Sequence, residues 1–184
     1  MALLSLRGEP PSVLQGKYSV EIEGDFVVFV IGIYLQPGAW LWRLGTIFRA
    51  GRAMDAMKRE LSEHPEYGCM LVNHTSARTN PTHLVQIWRS YDHLADYARN
   101  RMAKHLGPWL QWNVEAKGFK GAQIPGVGIF HEAYLVSNYE AIYRNMPRSG
   151  LAKIGKLVSA SHGRLRTGKG RLNQTNGDDH AAIQ

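Results

Sequence analysis

Apolar residues run almost unbroken from Phe26 to Tyr34 and stop at Gln36-Pro37-Gly38. β-branched and aromatic side chains on both faces of one extended segment predict a central strand covered from both sides. The spacing then changes. Ile47, Ala50, Met54, Met57 and Leu61 recur three and four apart, a helical stripe that ends at His64-Pro65. Between strand and helix lies a Trp-rich connection, Trp40 to Leu44, whose conformation the pattern leaves open.

Tyr67 to Thr75 and His83 to Arg89 read as strands joined by the turn residues Ser76 to Pro81, a hairpin. Ser90 or Asp92 caps a second helix, with Leu94, Tyr97, Ala98, Met102 and His105 on one broad face. Gly107-Pro108 breaks that helix, and Trp109 to Asn113 adds another turn or two. Gly118 to Gly126 reads as loop, and Val127 to Val136 as a fourth strand. Asn138 then caps a short helix through Tyr143, ended by Pro147.

The order strand, helix, strand, strand, helix, strand is the ferredoxin-like βαββαβ pattern of the α+β class. Residues 1–23 are expected to be irregular, residues 24–152 to form the domain, and residues 153–184 to be a basic, flexible tail. With both helices on one face, the other face of the sheet is bare, so a second copy of the chain is the expected partner: a homodimer.

Charge changes this picture little. Of the net +7, residues from Arg148 onward carry +5, and the rest of the chain is near balance at +2. A body this neutral argues against nucleic acid as a partner. The run Phe26 to Leu35 is about half of what spans a bilayer, so no membrane partner is expected. Met1 to Leu6 is too short an apolar region for a secretion signal, and Cys69 is the one cysteine. A cytoplasmic location is the expectation. No phosphate loop, nucleotide fingerprint or thiolate cluster stands out, so no nucleotide cofactor is expected.

The candidate chemistry lies in histidine and aromatic side chains. His105 reads either as a general base or as the residue closing its helix, where the negative dipole end favours the imidazolium. His131 shares a strand face with Ile129, Ala133 and Leu135, while Glu132 points the other way. It is either a core histidine or one that opens into a cleft. Asn73 and His74 end one strand and His83 begins the next; the two histidines flank the hairpin turn without a third ligand at recognisable spacing, so no metal site is expected there. Trp88, Trp109 and Trp112 supply flat apolar surface for a hydrophobic substrate, with Asn73 and Tyr97 as polar contacts.

The segment Trp88-Arg89-Ser90-Tyr91-Asp92-His93-Leu94 resembles the dimeric α+β barrel superfamily of small monooxygenases and haem-handling proteins. Gly24 to Phe29, Trp88-Arg89-Ser90, His131 to Val136 and Tyr139 to Pro147 resemble a subgroup associated with a monooxygenase of a fungal polyketide (fumagillin) pathway. The resemblance spans residues 24 to 152. It implies a dimeric α+β barrel, to which the residues themselves add the extra C-terminal helix and the basic tail. It also implies a cleft between sheet and helices, and a small oxygenase-like enzyme of secondary metabolism. The implied substrate is a hydrophobic aromatic or polyketide-like molecule, and His105 and His131, singled out by their positions, are the candidate catalytic residues. Haem is the alternative cofactor, in a haem-degrading or aldoxime dehydratase-like enzyme with His105 or His131 on iron. A tryptophan on this strand and a histidine on the following helix flank haem in such relatives, and Trp88 and His105 resemble that pair. A non-catalytic ligand-binding module is the third reading.

Overall fold

The computed structural model describes residues 12–74, 80–100, 103, 106–119 and 124–172. They fall into two compact units, Asp25–Val136 and a second one made from the residues up to Gly24 together with those from Ser137 onward.

The first unit carries the expected order. Its elements are β2 (Phe26–Leu35), α1 (Trp40–Glu63), β3 (Cys69–His74), β4 (Thr82–Trp88), α2 (Tyr91–Arg99), α3 (Leu106–Lys117) and β5 (Val127–Val136). The four strands form one sheet in the order β3-β4-β2-β5, with every neighbouring pair antiparallel. This is a ferredoxin-like α+β fold, with the all-apolar β2 in the interior of the sheet as its two-faced pattern requires.

Local chemistry sets the element ends. Pro65 starts a 3-10 turn after α1, and Gly68 closes it in the left-handed region at φ 81°. A side chain on Gly68 would lie within the imidazole of His93, so this position needs glycine on two counts. Ser90 caps α2, its hydroxyl accepting the backbone N–H of His93 at 3.3 Å. Trp40 to Leu44 is helical, with a kink at Arg43 (φ −117°, ψ 16°). Gly107 and Pro108 do not end the preceding helix, which stops at Arg99; they lie in the first turn of α3. A proline is tolerated there because first-turn N–H groups have no intrahelical acceptor.

The second unit corrects the expectation for both ends of the chain. Residues 14–21, expected irregular, form β1 (Leu14–Glu21). The helix expected from Asn138 to Tyr143 is absent, and Tyr143–Met146 forms β6 instead. β7 (Lys156–Ser159) lies where a flexible tail was expected. The three strands make a sheet in the order β6-β1-β7, antiparallel throughout. Period-two alternation was present in Tyr18-Ser19-Val20-Glu21, but its partners lie more than a hundred residues away in sequence. Tyr139 donates its hydroxyl to the Val20 carbonyl and accepts from Ile22 N–H, so Asn138 to Ile142 stays extended alongside β1 rather than coiling. Arg171, in the short helix α4 (Gly168–Arg171), pairs with Glu140 at 2.5 Å.

Among the described residues no helix is long and apolar enough to cross a membrane.

Candidate functional site

Residues directly opposite one another in antiparallel strands project to the same side of the sheet. The register therefore fixes the rows on the helix-covered side of the Asp25–Val136 unit. Cys69, Trp88, Val27 and Leu135 form one row; Val72, Gln86, Phe29 and Ala133 the next; then Leu84, Ile31 and His131; then Thr82, Ile33 and Ile129. Along the first row burial falls sharply, with Trp88 at 0% exposure and Leu135 at 76%. The helices thus bury Leu84, Gln86 and Trp88 of β4 and Val27 of β2, half-cover β3 and the rest of β2, and leave β5 open.

The sealed end holds a polar network inside the core. The Trp88 indole N–H donates to Gln86 Oε1 at 2.8 Å, and Gln86 Nε2 lies 3.8 Å from the Met57 sulfur. Tyr97 packs on Trp88 with ring centroids 5.4 Å apart and donates its hydroxyl to the buried Glu60 carboxylate at 2.8 Å. Tyr67 lies 5.4 Å from Tyr97 and His64 stacks 5.1 Å from Tyr67, carrying the aromatic contacts outward. Desolvation first, and then the Glu60 carboxylate, push the Tyr97 phenol far above its ordinary range, so this hydroxyl stays protonated as a donor. The bond ties α2 to α1. Tyr97→Phe, which removes the donor beside a buried carboxylate, is expected to cost ~1–3 kcal/mol in chemical denaturation.

Cys69 belongs to the same sealed region. Burial pushes its thiol up to about 12 from an ordinary 9.0, opposed only by its bond to the Leu71 carbonyl. The native thiol is then expected to resist thiol reagents until the chain is unfolded, as an Ellman assay with and without denaturant will read. The same raised value makes stability fall as pH climbs above about 9, because the unfolded chain releases that proton first.

The open end is a shelf along β5. Ile129, His131, Ala133 and Leu135 point to the helix side and are exposed, with Phe29 and Ile31 of β2 as its inner wall. The His131 imidazole lies against the Phe29 ring at 5.7 Å between centroids. Glu132 faces the opposite side, where its carboxylate accepts the Tyr134 hydroxyl at 2.5 Å. A solvent-reached imidazole in an apolar row is equipped to take a proton from a hydrophobic substrate lying across it.

The residues singled out from sequence are thereby distributed. Trp88 and Tyr97 come together, sealed and engaged with each other. His131 lies across β2 from them, on the open shelf. Asn73 pairs with Val85, which places it on the face opposite Trp88. Trp112 is half-buried in α3; Trp109 is in the same helix with its side chain outside the described set, and His105 lies outside the described residues. Among the described residues no group of three or more His, Cys, Asp or Glu is placed to hold a metal ion. Sequence reasoning missed Glu60, Gln86 and Phe29. Gln86 had a signal, a polar residue in the middle of Leu84-Val85-Gln86-Ile87-Trp88, and so did Glu60, a carboxylate flanking the Met57–Leu61 stripe.

Residues 26–151 match the family model described as monooxygenase af470-like. No curated protein matches the chain. Among solved structures, an aldoxime dehydratase in complex with butyraldoxime is similar over 82% of this chain, with 16% identity and a TM-score of 0.54. This chain covers 43% of that enzyme's length. A dimeric ferredoxin-like protein of unknown function from Jannaschia sp. CCS1 is similar over 58% of this chain and 97% of its own, with 13% identity and a TM-score of 0.38. A dimeric ferredoxin-like protein from an uncultured marine organism is similar over 62% of this chain and 97% of its own, with 8% identity and a TM-score of 0.28.

Proposed function

The chain belongs to the monooxygenase af470-like family, and from that membership we propose that it is a small oxygenase whose hydrophobic aromatic or polyketide-like substrate lies on the β5 shelf. The observation that carries this reading is the exposed His131 imidazole against Phe29, in a row otherwise made of Ile129, Ala133 and Leu135. His131 takes a proton from an activated ring carbon of the substrate. The resulting carbanion supplies the electrons to O2 and a C–O bond forms; the peroxide takes the proton back from the His131 imidazolium, and the O–O bond then breaks as that OH leaves with the second hydrogen of the same carbon as water, giving a carbonyl. One oxygen atom ends in the product and the other in water, so the balance needs no nucleotide or metal. Phe29, Ile129 and Leu135 hold the flat apolar substrate by area and exclude water around the imidazole.

The test is O2 uptake by the purified chain with electron-rich phenols and fused-ring polyketides. Uptake that requires both substrate and protein, with product gaining one oxygen atom, supports the reading. A panel that leaves O2 untouched contradicts it.

Haem dependence is the second reading. What favours it is the same feature: were haem bound, the accessible His131 imidazole would hold its iron and the apolar side chains beside it would pack on the porphyrin, the iron supplying the redox chemistry. Trp88 fits it poorly, being fully buried with its N–H given to Gln86. A Soret band that shifts on haemin addition to the wild type, and not to His131→Ala, would favour haem over the cofactor-free route.

The opposite face of the sheet presents Val28 and Val30 half-buried beside exposed Tyr34, Glu132 and Tyr134. We assign this face to a second copy of the chain, and equilibrium sedimentation is expected to give twice the 20.7 kDa chain mass.

A further inference from the structure

α1 carries apolar side chains on two sides, facing the core in its second half and facing outward in its first. Met54, Met57 and Leu61 pack into the core. Leu44, Phe48 and Arg52 recur at four-residue steps on the side of the helix turned away from them. Leu41, Trp42, Leu44 and Phe48 are 61%, 60%, 62% and 65% exposed. Large apolar side chains gathered this densely on a soluble surface mark an interaction site.

Charge identifies the partner. From Asp25 to Asp55 the chain carries no acidic residue between, and Arg49 and Arg52 interleave the apolar positions, while Arg43 turns inward to the Pro125 carbonyl and the Phe119 ring. The Arg52 guanidinium lies over the Phe48 ring at 5.7 Å, next to the exposed stripe rather than across the helix from it. Arg49 reaches Glu115 of α3 at 2.6 Å and is still half-exposed. Trp, Leu and Phe rimmed by arginine on one helix describe an element that lies in a membrane interface, rings in the acyl boundary and guanidinium groups at the headgroups.

We propose that the outward face of α1, from Leu41 to Arg52, docks on an anionic phospholipid surface. The expectation of no membrane partner rested on the lack of a spanning segment, and surface docking requires none. The bilayer is a fitting source for a hydrophobic substrate, but the docking stands independently of the chemistry at His131.

Co-sedimentation of the full chain with phosphatidylcholine vesicles, with and without phosphatidylserine, tests this. Binding is expected to require phosphatidylserine, to fall with salt, and to shift tryptophan emission to the blue. Arg52→Glu weakens it about fivefold or more. Leu44→Glu/Phe48→Glu abolishes it with an unchanged far-UV circular dichroism spectrum, and Leu44→Ala/Phe48→Ala serves if the glutamates disturb folding. Three results overturn the proposal: a wild type that ignores anionic vesicles, equal binding to neutral ones, or undiminished binding by the double variants. If the wild type ignores vesicles and the double variant lowers the oligomer size, the face belongs to a second copy.

Discussion

Trp88→Ala is expected to lower stability by ~3–5 kcal/mol, the cost of emptying a fully buried aromatic site. Trp88 has no exposed surface and joins β4, Val27 of β2 and Tyr97 of α2 at one point of the core. Its removal opens a void among side chains held by two strands and a helix, which cannot collapse together to fill it. It also leaves Gln86 Oε1 without the indole donor in the interior, so the loss adds an unmet polar group to the cavity. Guanidinium denaturation of the variant is expected to show a much lower midpoint with an unchanged slope. A loss below ~1 kcal/mol would mean that this row of the sheet is looser than its burial indicates.

His131→Gln is expected to lower turnover by about 10²–10⁴-fold while leaving stability within ~0.5 kcal/mol. The split follows from position. The imidazole sits on an exposed row with Phe29 as its described ring contact, so the fold loses little. The substitution keeps size and polarity and removes the proton acceptor. Thermal melting and O2 uptake on the same preparation separate the two effects. Equal turnover in both proteins would remove His131 from the chemistry and leave the shelf as a binding surface only.

How much was legible in the sequence depended on the range of each signal. β2 and the helical stripe of α1 announced themselves because their patterns are local and strongly periodic. Ser90 was one of two caps the sequence offered for α2, and its hydroxyl makes the bond. The terminal strands β1, β6 and β7 were not read, because β6 and β7 have only four residues each and β1 pairs with both across more than a hundred residues of sequence. Asn138 looked like a helix start since its side chain suits a cap, but Tyr139 anchors that segment to β1 instead.

For the candidate site, the sequence placed His131 and Glu132 on opposite faces by alternation alone, and the register agrees. It could not tell whether His131 was a core or a cleft residue. That depends on where the helices end over the sheet: α2 spans only Tyr91–Arg99, and the row at β5 is left open. Trp88 looked like a pocket wall because a strand-terminal tryptophan before a helix is compatible with either lining or core. Its hydrogen bond to Gln86, two residues earlier on the same face, settles it into the core. The outward Leu44 and Phe48 of α1 were not legible because Ile47, Ala50, Met54, Met57 and Leu61 already form one helical stripe, and periodicity does not show which further apolar residues stay exposed.

The most direct test of the β5 shelf is an NMR titration of the isotope-labelled chain with a naphthol, a flat hydrophobic phenol. The account predicts that amide and imidazole shifts concentrate at Ile129, His131, Ala133 and Leu135 and at Phe29 and Ile31 across the pair, with Trp88 Nε1 hardly moved. Shifts gathered instead around Trp88 and Tyr97, with the β5 residues silent, would contradict it.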